Sequence, residues 1–227
     1  MWRSQATLLR TLAVCERSQH TRNIFLIQNG ETSESAEPII TGLKKCNPIT
    51  LKQNIFVNPA WNIGYIASSS EILCIANDDI AITDSALRCA ATADWANIDL
   101  IGTSAMSTSS LSLKPAAYAR GASLGSQYSG FGSCMFLRRD QYRYIPEELK
   151  IWFGDDYLVS MAQRVYLMSG GILIENQAAT LKLIFDTGIY QQILSEIDFC
   201  QSRLGLLTIQ NADGLLNWFI SHYGNRS

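Results

Sequence analysis

The chain is 227 residues long, 47% hydrophobic and 17% charged, which is enough apolar chain for one sizeable core and unlike a disordered protein. A net charge of −2 and a pI of 5.7 argue against nucleic-acid binding and against a polybasic membrane anchor, both of which need a basic surface. The expected partner is small or neutral.

The six cysteines are scattered without a CxxC pair, most of them inside apolar runs, as buried thiols rather than zinc ligands are placed. No stretch approaches the roughly 20 apolar residues of a membrane span. No basic segment followed by an apolar core opens the chain, so a cytoplasmic protein without a transmembrane segment is expected.

Along the chain, Ser4 to Arg17 sets Leu8, Leu12 and Cys15 on one helical face with Leu9 beside them. Ile24 to Ile27 is a continuous apolar run before the turn-forming Asn29-Gly30, the pattern of a strand buried on both faces. A short helix is expected over Pro38–Lys45, a strand near Ile49–Ile55, a helix over Pro59–Ser69 and a second buried strand at Ile72–Ile75. This alternation is the signature of βαβ units.

Thr83 and Asp84 can cap the next helix, in which Leu87, Ala91 and Trp95 share a face, and a strand follows at Ile98–Ile101. Thr103 to Gly130, rich in Ser, Ala and Gly, reads as a long surface segment. After a strand at Cys134–Leu137, a helix from about Asp155 carries an apolar stripe of Leu158, Met161, Ala162 and Val165 and ends at Gly170-Gly171. A strand at Ile172–Ile174 and helices around Ile189–Leu204 and Ala212–Ser221 complete the chain. No repeat or domain boundary interrupts it, so a single domain over 1–227 is expected.

Open α/β sheets bind ligands beyond the carboxyl ends of their strands. Two polar segments follow apolar runs there: Gln28-Asn29-Gly30-Glu31-Thr32 and Asn77-Asp78-Asp79. Adjacent carboxylates at a strand end can hold Mg²⁺ or Mn²⁺ against a diphosphate, and they can equally make a turn. Gly154-Asp155-Asp156 precedes an amphipathic helix, where carboxylates cap the helix and complement its dipole. They can also serve as a general base beside an acceptor hydroxyl. Trp152 and Phe153 offer an aromatic face to a sugar ring or belong to the core.

Taken together, these residues resemble family 2 glycosyltransferases. Asn62-Ile63-Gly64, then Ser70 to Asp79, is similar to that family's Asn-x-Gly, apolar strand and Asp-x-Asp-like motif. Gly132 to Arg139 resembles its Gly-x-x-Met-x-x-Arg-Arg segment, and Gly154-Asp155-Asp156 its Glu-Asp motif. The resemblance covers about Ser4 to Ile174.

It implies an inverting enzyme that moves a sugar from a nucleoside-diphosphate donor to an acceptor hydroxyl. The implied fold is GT-A, a mostly parallel Rossmann-like sheet flanked by helices, with residues 1–102 binding the nucleotide sugar and 103–227 the acceptor. Residue by residue, Gln28 and Asn29 border the base or ribose, and Asn62, Asn77 and Asp78 contact the donor. Asp79 binds the metal, Gly132 and Trp152 lie at the substrate, and Asp156 with Asp155 is the base.

Gln28 and Asn77 each stand where the family usually has Asp. No counterpart of the family's late metal-binding His lies in Glu175–Phe185. The family's first strand, with its Pro-Thr-Tyr-like end, has no counterpart, so the sheet is expected to lack it. A sugar-phosphate nucleotidyltransferase would need a Gly-rich, basic phosphate loop near the start, which is not present. A degenerate domain that only binds a nucleotide or glycan is the other reading.

Overall fold

The structure is a computed structural model that describes residues 5–30, 40–103, 116–120, 133–174, 187–206 and 214. Helix α1 (Gln5–Arg17) buries Thr7, Leu8, Leu12 and Cys15, the face expected from the helical period, and leaves Leu9 42% exposed. Strands β1 (Ile24–Gln28) and β2 (Cys46–Thr50) pair in parallel, Ile24 opposite Cys46 and Gln28 opposite Thr50.

Of the helix expected over Pro38–Lys45, the described part begins helical at Ile40 and turns at Thr41 and Gly42, so the helix ends earlier than expected. Gly42 adopts φ 87°, and the Glu16 carboxylate accepts the N–H groups of Lys44 and Lys45 at 2.9 and 3.0 Å. β2 therefore starts earlier than the expected strand at Ile49. Pro48 is tolerated inside it because the neighbouring Asn47 and Ile49 face β1 in the ladder, which turns the missing N–H of Pro48 to the open edge.

Helix α2 (Val57–Ala67) leads to strand β3 (Ile72–Ala76), a short strand β4 (Ile80–Ile82) and helix α3 (Asp84–Ala91). Thr83 Oγ1 caps α3 by accepting the N–H of Ala86 at 3.4 Å. Strand β5 (Leu100–Thr103) follows. Strand β6 (Ala117–Arg120) lies inside the segment expected to be surface loop, and the remainder of that segment, 104–115 and 121–132, is outside the described residues.

Strand β7 (Cys134–Arg138) precedes helix α4 (Gly154–Met161). The helix is shorter than its apolar stripe suggests. Ala162 is already extended, and the N–H groups of Gln163 and Arg164 turn to the Asp99 carboxylate at 3.0 and 2.9 Å. Val165 thereby opens strand β8 (Val165–Ser169) instead of continuing the helix. Gly170-Gly171, both at φ 74°, redirects the chain into strand β9 (Ile172–Ile174). Helix α5 (Thr187–Phe199) continues into a wider turn at Cys200–Leu204, closed by Gly205 in the left-handed region. The helix expected at Ala212–Ser221 falls on residues outside the described ones, apart from 214.

A central sheet is flanked by helices, in the order β3-β7-β5-β8-β6. It is mixed rather than mostly parallel: β5 and β8 are parallel, whereas β7 runs antiparallel to both β3 and β5, and β6 antiparallel to β8. β4 and β9 form an antiparallel pair to one side.

Strand β7 shows why the core is two-sided. Met135 and Leu137 join Leu73, Ile145, Leu158 and Ile193 on one face, and Cys134 and Phe136 join Ile80, Leu87, Ile101 and Ile172 on the other. The period of two puts alternate side chains into opposite layers. β1 and β2 stand apart as their own two-stranded sheet. β1 was expected to be buried on both faces, yet only Leu26 and Gln28 are fully buried in it.

Candidate functional site

Between the β1–β2 pair and the central sheet lies a cavity of 1080 Å³, slightly above the ~300–1,000 Å³ usual for ligand pockets. Its body is walled by the whole of β1 and β3 and by apolar side chains of α1 and α2, among them Leu8, Leu12, Ala60 and Trp61. Its polar rim is supplied by the residues that end the two strands: Gln28, Asn29, Asn77 and Asp78 all line it. All four stand at or just past the strand ends, where open α/β sheets take their ligands.

Their side chains differ in freedom. Asn29 is a clamp: its Oδ1 accepts the N–H of Ile55 at 2.8 Å and its Nδ2 donates to the Phe56 carbonyl at 2.7 Å. Phe56 needs holding, because it sits at φ 69° and ψ −177° just ahead of α2, a conformation that is costly for a residue with a Cβ and that recurs at functional sites. Gln28 is buried and Asp78 half-buried at the rim.

Asp79 is 4% exposed and is not part of the cavity wall. The side chain expected to meet a metal ion thus lies behind the rim, and Asp78 faces the cavity. Among the described residues no three His, Cys, Asp or Glu side chains cluster as metal ligands. An adjacent carboxylate pair with an amide oxygen nevertheless suits Mg²⁺ or Mn²⁺, which commonly take one or two protein carboxylates and complete their shell with water and phosphate oxygens.

The second acidic group stands on α4. Phe153, in the left-handed region at φ 58°, turns the chain into the helix, so Asp155 and Asp156 occupy its first turn, where the dipole favours carboxylates. Crowding by the surrounding protein, followed by repulsion from Asp155, pushes the Asp156 carboxyl up to about 7. Solvent still reaches the Asp156 side chain, which moderates this desolvation. The upward direction follows from both causes.

The loop before α4 is built from a distance. Glu196 on α5 is fully buried, and its carboxylate accepts the N–H groups of Lys150, Ile151 and Trp152 at 3.0, 3.0 and 2.7 Å. Asn58 on α2 completes the hold by donating to the Trp152 carbonyl at 2.8 Å. Trp152 meets Phe153 edge-on with ring centroids 6.0 Å apart, and both pack against the core. Sequence reading missed Glu196 and Asn58, since neither belongs to a local pattern. The only available signal was a lone Glu among the apolar residues of α5.

Asn62 turns inward. Its Oδ1 accepts from Tyr142 Oη at 2.8 Å and from the N–H of Ile145 at 3.0 Å, and its Nδ2 donates to the Ile145 carbonyl at 3.0 Å. It is 3% exposed and not on the cavity wall, and it joins α2 to the 142–145 segment. Gly132 is outside the described residues. Neither Asp155 nor Asp156 lines the cavity, so the candidate residues form two groups, one at its rim and one on α4.

No protein-family model matches the chain, and no curated protein does. Solved structures do. The chain is similar to S. aureus TarS 1–349, with a TM-score of 0.58 at 14% identity over 97% of this chain and 68% of that one. The same protein in complex with UDP-GlcNAc gives 0.60 at 12% identity, covering 100% and 72%. The fold is GT-A. GalNAc-T7, solved with UDP, GalNAc and Mn²⁺, gives 0.52 at 9% identity over 95% of this chain and 52% of that one. At these identities the likeness concerns the GT-A fold. Among the described residues of this GT-A chain, no helix is long and apolar enough to cross a membrane.

Proposed function

We propose that this chain is an inverting, nucleotide-sugar-dependent glycosyltransferase of family 2 type that transfers a hexose to an acceptor hydroxyl in the cytoplasm. The observation that carries the reading is the polar rim of Gln28, Asn29, Asn77 and Asp78 where β1 and β3 end on one cavity, in a GT-A fold whose solved relatives include a UDP-GlcNAc complex.

Gln28 hydrogen-bonds the base, and Asn77 and Asp78 face the diphosphate. Asp78, at the rim, with Asp79 behind it would hold a Mn²⁺ or Mg²⁺ ion, which would supply charge neutralisation of the leaving diphosphate. Asp156 takes the acceptor's hydroxyl proton while that oxygen forms its bond to the anomeric carbon and the bond to the diphosphate breaks. Burial first, and then repulsion from Asp155, push the Asp156 carboxyl up to about 7.

The test is release of nucleoside diphosphate from a panel of nucleotide sugars with Mn²⁺ and candidate acceptors. Turnover that falls about 10²- to 10⁴-fold in Asp156→Asn is the expected result for loss of a general base. Absence of donor binding, or turnover unchanged in Asp78→Ala and Asp156→Asn alike, overturns the reading. One observation favours a binding-only domain instead: Asp79 is buried behind the rim. Tight donor binding by calorimetry that needs no divalent ion, without turnover, selects that alternative.

A further inference from the structure

The cavity rim and the α4 carboxylates are far apart along the chain, yet one short run at the start of α2 touches the supports of both. Asn29, at the rim, brackets Phe56: it accepts the N–H of Ile55 and donates to the Phe56 carbonyl, and Asn54 Oδ1 accepts the Phe56 N–H at 2.8 Å. Phe56 keeps its φ of 69° and ψ of −177° because its peptide groups are held on both sides. Two residues later, the Asn58 N–H donates to the Lys150 carbonyl at 3.0 Å, and Asn58 Nδ2 donates to the Trp152 carbonyl at 2.8 Å. The Lys150 ammonium lies 5.7 Å from the centre of the Phe56 ring. Gly154 packs so closely on the Asn58 amide that a Cβ there has no room.

Asn58 makes this join at a cost to the fold. It is 1% exposed, and its Oδ1 is a buried acceptor without a hydrogen-bond partner among the described residues. An unmet buried acceptor destabilises a protein, and an apolar side chain of similar shape would avoid it. Violations of this kind concentrate where function demands a particular group. What Asn58 supplies, and an apolar residue would not, is the Nδ2 donor to the loop that enters α4. Glu196 fixes the N–H groups of Lys150 and Trp152, and Asn58 fixes their carbonyls, so these two residues of the loop are pinned through both of their backbone groups.

We infer that Asn58 is a positioning residue that ties Asp155 and Asp156 on α4 to the polar rim of the cavity, through Phe56 and Asn29. The connection is mechanical. Releasing Asn29 lets Phe56 relax toward an ordinary backbone conformation, which moves Asn58 and with it residues 150–152 and the start of α4. A nucleotide seated against Asn29 stiffens the same route, and order imposed at either end favours order at the other to the same extent. Asn58 itself is not on the cavity wall, so it acts on the α4 carboxylates and not on the donor. Its effect on catalysis rests on the activity proposed above, in which Asp156 must meet the acceptor hydroxyl in register: a misplacement of about 1 Å can cost about 10²-fold in rate. The join itself rests on the contacts alone.

The first measurement is amide hydrogen exchange in the unliganded chain, read at Trp152 and at Tyr157, whose N–H donates to the Phe153 carbonyl at 2.8 Å. Asn29→Ala is expected to speed exchange at both at least about tenfold and to leave the paired strands at Ile101 and Phe136 unchanged. In an Asn58→Ala background, where the join is already broken, the same change is expected to add less than about twofold. The second measurement is kinetic, with UDP-GlcNAc and then the other nucleotide sugars of the panel, all with Mn²⁺. There Asn58→Ala is expected to lower kcat about 10- to 100-fold, with the donor KM within about threefold of the wild type. The inference is overturned if Asn29→Ala leaves Trp152 and Tyr157 unchanged, if it acts equally in both backgrounds, if Ile101 and Phe136 loosen as much, or if Asn58→Ala raises KM alone. If no nucleotide sugar turns over, the proposed activity fails, and the exchange result still decides the join.

Discussion

Replacing Gly154 by alanine places a methyl group against Asn58. The added Cβ would lie 2.3 Å from Asn58 Oδ1, 2.4 Å from its Cγ and 2.8 Å from its Nδ2, all inside the distances that real Cβ atoms keep. Asn58 cannot yield cheaply. It is 1% exposed and its Nδ2 holds the Trp152 carbonyl at 2.8 Å. Overpacking of this kind costs about 1–3 kcal/mol, and swinging the amide away forfeits a buried hydrogen bond worth a similar ~1–3 kcal/mol.

The intrinsic helical advantage of alanine over glycine, ~1 kcal/mol at most, offsets only part of this. Urea denaturation followed by circular dichroism is therefore expected to show Gly154→Ala destabilised by about 1–3 kcal/mol. In an Asn58→Ala background all three clashing atoms are gone, since each lies beyond the Cβ of Asn58. There the same change is expected to be neutral or slightly stabilising, a coupling of ~2 kcal/mol in the double-mutant cycle. An equal cost in both backgrounds would refute the reasoning, because it would place the strain somewhere other than the Asn58–Gly154 contact.

Glu196→Ala leaves the N–H groups of Lys150, Ile151 and Trp152 without their carboxylate, and a loss of about 3 kcal/mol or more should be read from urea melts. Asp156 carries a folded-state pKa raised to about 7. Its ionisation therefore opposes folding as pH rises through that value, and Asp156→Asn is expected to melt higher than the wild type at pH 8 while losing transfer activity. The wild-type rate should rise with pH through about 7. Burial acts on Asp99 against the hydrogen bonds from Arg164 and Gln163, and the bonds prevail, so its carboxyl is held below the usual range. That stabilisation is present above the ordinary Asp value and lost as pH falls through the depressed one. Asp99→Asn should flatten the acid limb of a Tm-against-pH curve.

The buried strands β3 and β7 were legible because a run such as Cys134 to Leu137 is apolar at every position, and burial on both faces leaves that mark in the chain itself. α1 and the Thr83 cap were legible for the same local reason. The polar segments that follow β1 and β3 were legible as well, since a turn after an apolar run is a sequence feature.

What escaped depended on partners far along the chain. Val165 continued a plausible helical stripe, and only the Asp99 carboxylate, 64 residues from Gln163, drew the chain out of the helix and into β8. Asn62 carried a motif-like spacing, and only Tyr142 and Ile145 revealed that its hydrogen bonds point inward. Glu196 could be recognised as a builder of the α4 approach only once α5 lay against residues 150–152. Apolar periodicity is set by neighbours three or four residues away or by alternation along a strand, so the chain declares it locally. Hydrogen-bond partnership is settled by whichever group arrives opposite after folding, and that was decided by the tertiary structure alone.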